Sequence, residues 1–244
     1  MKAIYLDCFS GISGDMFLGA MVDMGVGLDV LTSGLSGLGL SISLNAVKVR
    51  KRGITGTKVD VIVPDAAEER HLADIMEIIN NSGLPEDVRS LSGRVFRRLA
   101  EAESRVHGVP VEEVHFHEVG ALDTIADVIG AAICFKASGA EILCSSPVNV
   151  GGGFVKTSHG MLPVPAPATL ELLRGASIYS SGLDAELVTP TGAAILAELC
   201  SCYGPMPLMR VERIGYGAGS KDLEMPNLLR AIIGEIPKNA RKGR

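Results

Sequence analysis

The sequence predicts an α/β fold, a mixed sheet flanked by helices in a single domain, on three observations. Ala3 to Cys8 is a short apolar run of the kind that forms a fully buried strand. Ser41 to Lys51 and Thr57 to Val63 alternate apolar and polar residues on either side of Arg52-Gly53-Ile54-Thr55-Gly56, which is the pattern of a hairpin. Val88, Leu91, Val95, Leu99, Ala102 and Val106 make one helical stripe, begun by Pro85, Glu86 and Asp87 and stopped by Gly108 and Pro110. The chain of 244 residues is long enough to bury a sizeable core, and it has neither an internal repeat nor a linker, so residues 1–236 read as one domain. Residues 237–244 lack an apolar anchor and are expected to form a short disordered basic tail.

The other elements follow in order. The loop Phe9-Ser10-Gly11-Ile12-Ser13-Gly14-Asp15 joins the first strand to a helix over Met16 to Met24, ending near Gly25. Leu72, Ile75, Met76 and Ile79 are helically spaced, with Gly83 just past the end. Val114 to Val119 reads as extended, Gly120 breaks the run, and a helix from Ala121 to about Ser138 packs Leu122, Ile125, Ile129 and Ile133. Ile142 to Cys144 and Val148 to Val150 are strand-like and lead into Gly151-Gly152-Gly153. Pro163 to Pro167 precedes a helix through Leu173, and Thr189-Pro190-Thr191-Gly192 introduces another over Ala193 to Cys202. Leu208 to Gly215 and Leu228 to Ile236 finish as strands.

Composition excludes several function classes. Aromatics are 4% with no Trp, and the net charge is −5, which together argue against a base-stacking or polyanion-binding surface, hence against nucleic acid. No apolar run approaches the roughly 20 residues that span a bilayer. Met1-Lys2-Ala3-Ile4-Tyr5-Leu6-Asp7 has a charge too early to be a signal peptide's apolar region. Five cysteines (8, 134, 144, 200, 202) without a C-x-x-C pair argue against a disulfide framework, so a cytoplasmic protein is expected.

Three constellations carry possible chemistry. In an extended Val114–Val119, His115 and His117 face the same way while Phe116 points into the core. Asp123 and Asp127, four apart, share one face of the following helix. With Glu118 this is a mixed nitrogen and oxygen ligand set suited to Zn, Mn, Fe or Ni; the bland alternative is a surface strand face and first-turn acids that complement a helix dipole. Second, in the first βα turn, Ser10, Gly11, Ser13 and Gly14 are small residues that leave backbone N–H groups open to a phosphate at a helix start, between Asp7 and Asp15. The turn matches neither nucleotide-binding glycine motif, and a plain tight turn with Asp15 as helix cap is the competing reading. Third, three successive glycines usually mark a strained turn or a close approach to a ligand. Gly152 and Gly153 are followed by Lys156 and His159, a cation and a possible metal ligand. Gly215-Tyr216-Gly217-Ala218-Gly219 is discounted as a dinucleotide turn because Pro226 stands where a helix would follow. Cys200-Ser201-Cys202 reads as core rather than ligand.

Asp7–Met16, His115–Asp123, the Gly151–Gly160 loop with Pro163–Pro167, and Glu186–Gly192 together resemble the LarC family. Its members insert nickel into pyridinium-3,5-bisthiocarboxylic acid mononucleotide to build the nickel-pincer cofactor of lactate racemase. The resemblance covers roughly residues 1–236 and implies a CTP-dependent cyclometallase of the lyase class that handles Ni(II) at His115 and His117. Ring metallation releases a proton, for which Asp7 and Asp15 are candidate bases. The resemblance also implies a CTP site, with Mn(II) or Mg(II), in a C-terminal domain beyond this chain or on a separate CTP-binding chain. Where the family often carries a His-rich tract, this sequence reads Ala66-Ala67-Glu68-Glu69-Arg70-His71. A non-catalytic nickel-delivery subunit and a metal-dependent phosphohydrolase are the alternatives, and a homo-oligomer is compatible with either.

Overall fold

A computed structural model describes residues 1–63, 70–116 and 122–237. The predicted 117–121 stretch, with His117 and Glu118, and most of the predicted tail lie outside the described residues.

The chain opens with β1 (Lys2–Asp7), α1 (Gly14–Asp23), α2 (Leu28–Ser36) and the hairpin β2 (Ser43–Lys51) and β3 (Ile54–Ile62). The hairpin turn is tighter than the sequence suggested, with Arg52 and Gly53 both at positive φ (48° and 90°), the primed-turn conformation that matches strand twist. Next come β4 (Arg70–His71), α3 (Leu72–Asn81), α4 (Glu86–His107), β5 (His115–Phe116) and α5 (Leu122–Ser138). Then follow β6 (Ile142–Ser145), β7 (Val148–Asn149), β8 (Gly151–Gly152), β9 (Phe154–Thr157), β10 (Gly160–Pro163), α6 (Pro167–Leu172), β11 (Ile178–Tyr179) and β12 (Ala185–Glu186). The described chain ends with α7 (Pro190–Leu199), β13 (Cys200–Tyr203), β14 (Arg210–Ala218) and β15 (Leu228–Glu235).

Seven strands form one mixed sheet in the order β13-β6-β1-β15-β14-β3-β2. β1 pairs in parallel with β6 and antiparallel with β15. The expected mixed α/β architecture is therefore present. Alternation along β1 explains its two faces: Ile4 and Leu6 enter the main core with the helices, while Tyr5 joins Cys144 and Ile232 in a small cluster on the opposite face. Helix α1 presses against β14 and β3. A Cβ at Gly215 or Gly217 would overlap the α1 backbone, so these glycines serve helix–sheet contact. Among the described residues, no helix is long and apolar enough to cross a membrane.

Two sequence expectations change. The helix expected over Ala193–Cys202 stops at Leu199, because Cys200–Tyr203 pairs with β6 as the sheet's edge strand. A register shift in that pairing puts Cys202 opposite Cys144, and the two form a disulfide across 58 residues where no disulfide framework was expected; Cys8, Cys134 and Cys200 stay free. The β9–β10 hairpin and α2, with its Leu28, Leu31 and Leu35 at helical spacing, are elements for which the sequence reading made no assignment.

Candidate functional site

The loop after β1 divides in two. Its first half folds inward: Ser10 and Gly11 are buried, Gly11 has φ +76°, and a Cβ there would overlap the Leu187 carbonyl oxygen. Ile12 continues the seam, donating its N–H to Leu187 O (3.0 Å) and accepting from Thr189 N–H (3.2 Å). The second half, Ser13, Gly14 and Asp15, begins α1 and opens onto a cavity of about 820 Å³.

That cavity is where helix starts converge. α1, α5, α6 and α7 all begin on its wall, and β3, the end of α4, His115 of β5 and the β9–β10 hairpin complete it. Helix N-termini carry partial positive charge, so the space suits an anionic ligand. Two of these starts already carry carboxylates. Asp15 accepts from the Ser13 hydroxyl and the Met16 N–H (2.9 Å), and Asp123 accepts from Thr124 N–H (2.7 Å). α7 has no acid in its first turn; Thr189 accepts the Gly192 N–H (3.2 Å), and Pro190 occupies the first position.

Asp127 is the unusual group. Its carboxylate packs where a Cβ on Gly14 would lie, and its Oδ1 is out of solvent with no hydrogen-bond partner. Burial pushes its pKa well above the usual carboxylate range, the Asp15 and Asp123 charges push it further, and Lys58 pulls the other way. Lys58, from β3, bridges Asp15 and Asp60 at 3.0 Å each. Burial opposes its charge, but the two carboxylates outweigh burial and raise its pKa.

Of the residues singled out from sequence, Ser13, Gly14, Asp15, His115, Asp123, Asp127, Lys156 and His159 line this cavity. Asp7, Ser10, Gly11, Gly152 and Gly153 do not. Asp7 faces its cross-strand neighbour Arg230 in an ion pair. The glycine triplet makes its close approach to its own chain: a Cβ on Gly151 would overlap Ala185 O, and one on Gly153 would overlap the Asp184 carboxylate. Sequence reasoning gave no site role to Lys58, Glu103 or His107, and quoted Glu186 only as the first residue of a motif. It gave Thr189–Gly192 only as the start of a helix.

The described histidines fall into two ring pairs. His71 and His115, opposite one another in β4 and β5, have centroids 4.0 Å apart, and His107 and His159 have centroids 4.8 Å apart. The His71 Nδ1 lies 3.2 Å from the Val114 carbonyl. A carbonyl only accepts, so Nδ1 carries the proton and Nε2 is left as the ligand atom. Among the described residues, no three His, Cys, Asp or Glu side chains converge closely enough to hold a metal ion.

Residues 4–243 match the family model described as nickel insertion protein. The chain belongs to that family. It is 54% identical over 237 residues to the pyridinium-3,5-bisthiocarboxylic acid mononucleotide nickel insertion protein of Desulfitobacterium hafniense, covering 97% of this chain and 59% of that one. It is 47% identical to a putative nickel insertion protein of Dictyoglomus thermophilum, covering 100% of this chain and 64% of the relative. It is also 47% identical to the mononucleotide nickel insertion protein of Geobacillus kaustophilus, covering 96% and 60%. The chain thus spans about three fifths of the length of these nickel insertion proteins. No solved structure matches it.

Proposed function

We propose that this nickel insertion family member uses the helix-start cavity to place Ni(II) into pyridinium-3,5-bisthiocarboxylic acid mononucleotide, forming the nickel-pincer cofactor. The observation that carries the reading is Asp127, a half-buried residue whose Oδ1 is out of solvent and unpartnered, in a cavity that Asp15, Asp123, Lys58, Lys156 and His115 also line. Forming the carbon–nickel bond breaks a ring C–H bond, and the proton needs an acceptor. Asp7 is held by Arg230, and Asp15 is engaged by Ser13, Met16 and Lys58. Asp127 has a free oxygen and a raised proton affinity, so it takes the acceptor role in this reading, in place of Asp7 or Asp15.

Nickel approaches from His115 and Asp123, with His117 and Glu118 as the rest of the ligand set read from sequence. The substrate phosphate lies toward Lys156 and the start of α7, whose first turn carries no acid. Consumption of CTP with Mn(II) or Mg(II) belongs to the same reading, with the triphosphate held by polypeptide corresponding to the part of the relatives that this chain does not span. Single-turnover nickel insertion with CTP, Mn(II) and the CTP-binding polypeptide added, followed by mass spectrometry of the nucleotide, tests the proposal. The mononucleotide should gain nickel and lose protons in wild type, and Asp127→Asn should slow that gain by roughly 10²- to 10⁴-fold while nickel still binds. Full turnover by Asp127→Asn would remove the acid–base role.

A further inference from the structure

Helix α4 ends at His107 on the cavity wall and is capped by Gly108 in the left-handed conformation (φ 68°). One turn earlier, Glu103 places Oε2 3.4 Å from the His107 Nε2. A carboxylate at that nitrogen favours the proton there and leaves Nδ1 as the ligand atom, the usual arrangement around a metal-binding histidine. Facing it, His159 stands in the turn between β9 and β10. That turn is held by its own bonds: Thr157 Oγ1 accepts the His159 N–H (3.1 Å) and donates to the Gly160 carbonyl (3.1 Å). The two rings are therefore brought together from elements 52 positions apart in sequence (107 and 159), with centroids 4.8 Å apart and planes tilted by 48°.

We infer that His107 and His159 form a second nickel-docking site on the cavity wall, a station that holds Ni(II) before it reaches the mononucleotide. Two nitrogens bound to one ion at about 2.1 Å lie about 3 Å apart when cis, which rings at this spacing reach by rotation about their side-chain bonds. Imidazole suits Ni(II). The carbonyl end of α4 and the Glu103 carboxylate both favour a cation at this point. Two protein nitrogens without a third described ligand leave positions for water or for the substrate's sulfur and carboxylate donors. A partly open shell of this kind suits an ion in transit. His115 belongs to the other ring pair, so the two nickel positions are separate ligand sets.

This inference rests on the reading that the cavity handles nickel, and the test separates the two. Ni(II) alone is titrated into wild type, the His107→Ala/His159→Ala double variant and His115→Ala, by calorimetry, with the histidine ring signals followed by NMR. Wild type should show two classes of site. The double variant should lose one class and keep the other at unchanged affinity, and His115→Ala should retain the class that the double variant lost. In wild type the His107 and His159 ring signals should broaden at substoichiometric nickel, and Glu103→Gln should weaken that class by roughly tenfold or more. Both histidines are exposed at the cavity, so unchanged circular dichroism serves as the folding control. Two classes surviving in the double variant, or sharp His107 and His159 signals while other signals broaden, overturns the docking site but leaves the His115 reading standing. Loss of one class in the double variant with nothing changed in His115→Ala supports the docking site and removes His115 as a seat.

Discussion

Gly11 and Gly14 sit three residues apart in one loop, both buried and both with no room for a Cβ, yet the neighbours that fill that room differ in kind. At Gly11 it is the backbone carbonyl of Leu187, and at Gly14 it is the side-chain carboxylate of Asp127. Backbone at Gly11 cannot step aside without breaking the seam in which Ile12 pairs with Leu187 and Thr189, whereas at Gly14 the carboxylate can rotate and only the Asp127 Cβ, 2.6 Å from the added Cβ, needs a shift of α5. The first half of the loop is thus a joint that fixes α7 to the sheet, and the second half is the floor of the cavity.

Four substitutions separate the roles of the two halves. The largest effect is expected at Gly11→Val, which forces a β-branched residue into φ +76° and onto Leu187. Overpacking and strain together should cost about 3–5 kcal/mol and leave little folded protein, read as a collapsed denaturant midpoint. A Gly11→Val protein of normal stability that fails only to bind the mononucleotide would reverse the assignment of the two halves.

Asp127→Asn comes next. Turnover should fall by roughly 10²- to 10⁴-fold, the usual size of a lost acid–base contribution, with nickel affinity retained. Stability supplies a second readout. The native carboxyl binds its proton more tightly than the unfolded one, so wild type loses stability as pH rises from the unfolded value of about 4 through the raised native value. In the Asn variant that decline should be absent, as measured by urea midpoints across the acid-to-neutral range.

Gly14→Ala should lower the denaturant midpoint, because the Asp127 Cβ lies 2.6 Å from the added Cβ and is relieved only by a shift of α5 against α1, which outweighs alanine's better helix propensity. Pushing the Asp127 carboxylate aside should also cost roughly 10²-fold in turnover, because small displacements at a reacting group are expensive. Normal turnover in a folded Gly14→Ala protein would show that Asp127 need not stand on this floor. The smallest effect is expected at Thr189→Ala. Removing the cap on Gly192 should cost about 1 kcal/mol in thermal unfolding without altering nickel affinity.

Much of the architecture was legible because it is written in local periodicity. Ala3–Cys8, the alternating hairpin and the α4 stripe each name their own neighbours along the chain. The α5 face with Asp123 and Asp127 was legible for the same reason, since helical spacing alone puts two residues four apart on one side. What stayed hidden depends on contacts distant in sequence. Nothing near Gly11 announces Leu187, so the small residues of the loop looked like one phosphate cradle. Likewise His107 ends a well-marked helix with no local sign that His159 faces it, and Cys202 reads as helical until β6 is there to pair with. Gly151 to Gly153 were read as a strained turn or an approach to a ligand, and what approaches Gly151 and Gly153 is the 184–187 segment of the same chain.

Whether nickel and nucleotide meet over Asp127 is decided by the anomalous nickel map of crystals holding the mononucleotide and Ni(II). A nickel peak is expected inside the cavity, on the side of His115, with the pyridinium ring carbon turned toward the Asp127 carboxyl and the phosphate near Lys156 and Thr191. A nucleotide seated instead on the glycine triplet, or a ring whose reacting carbon faces Asp7, would contradict it.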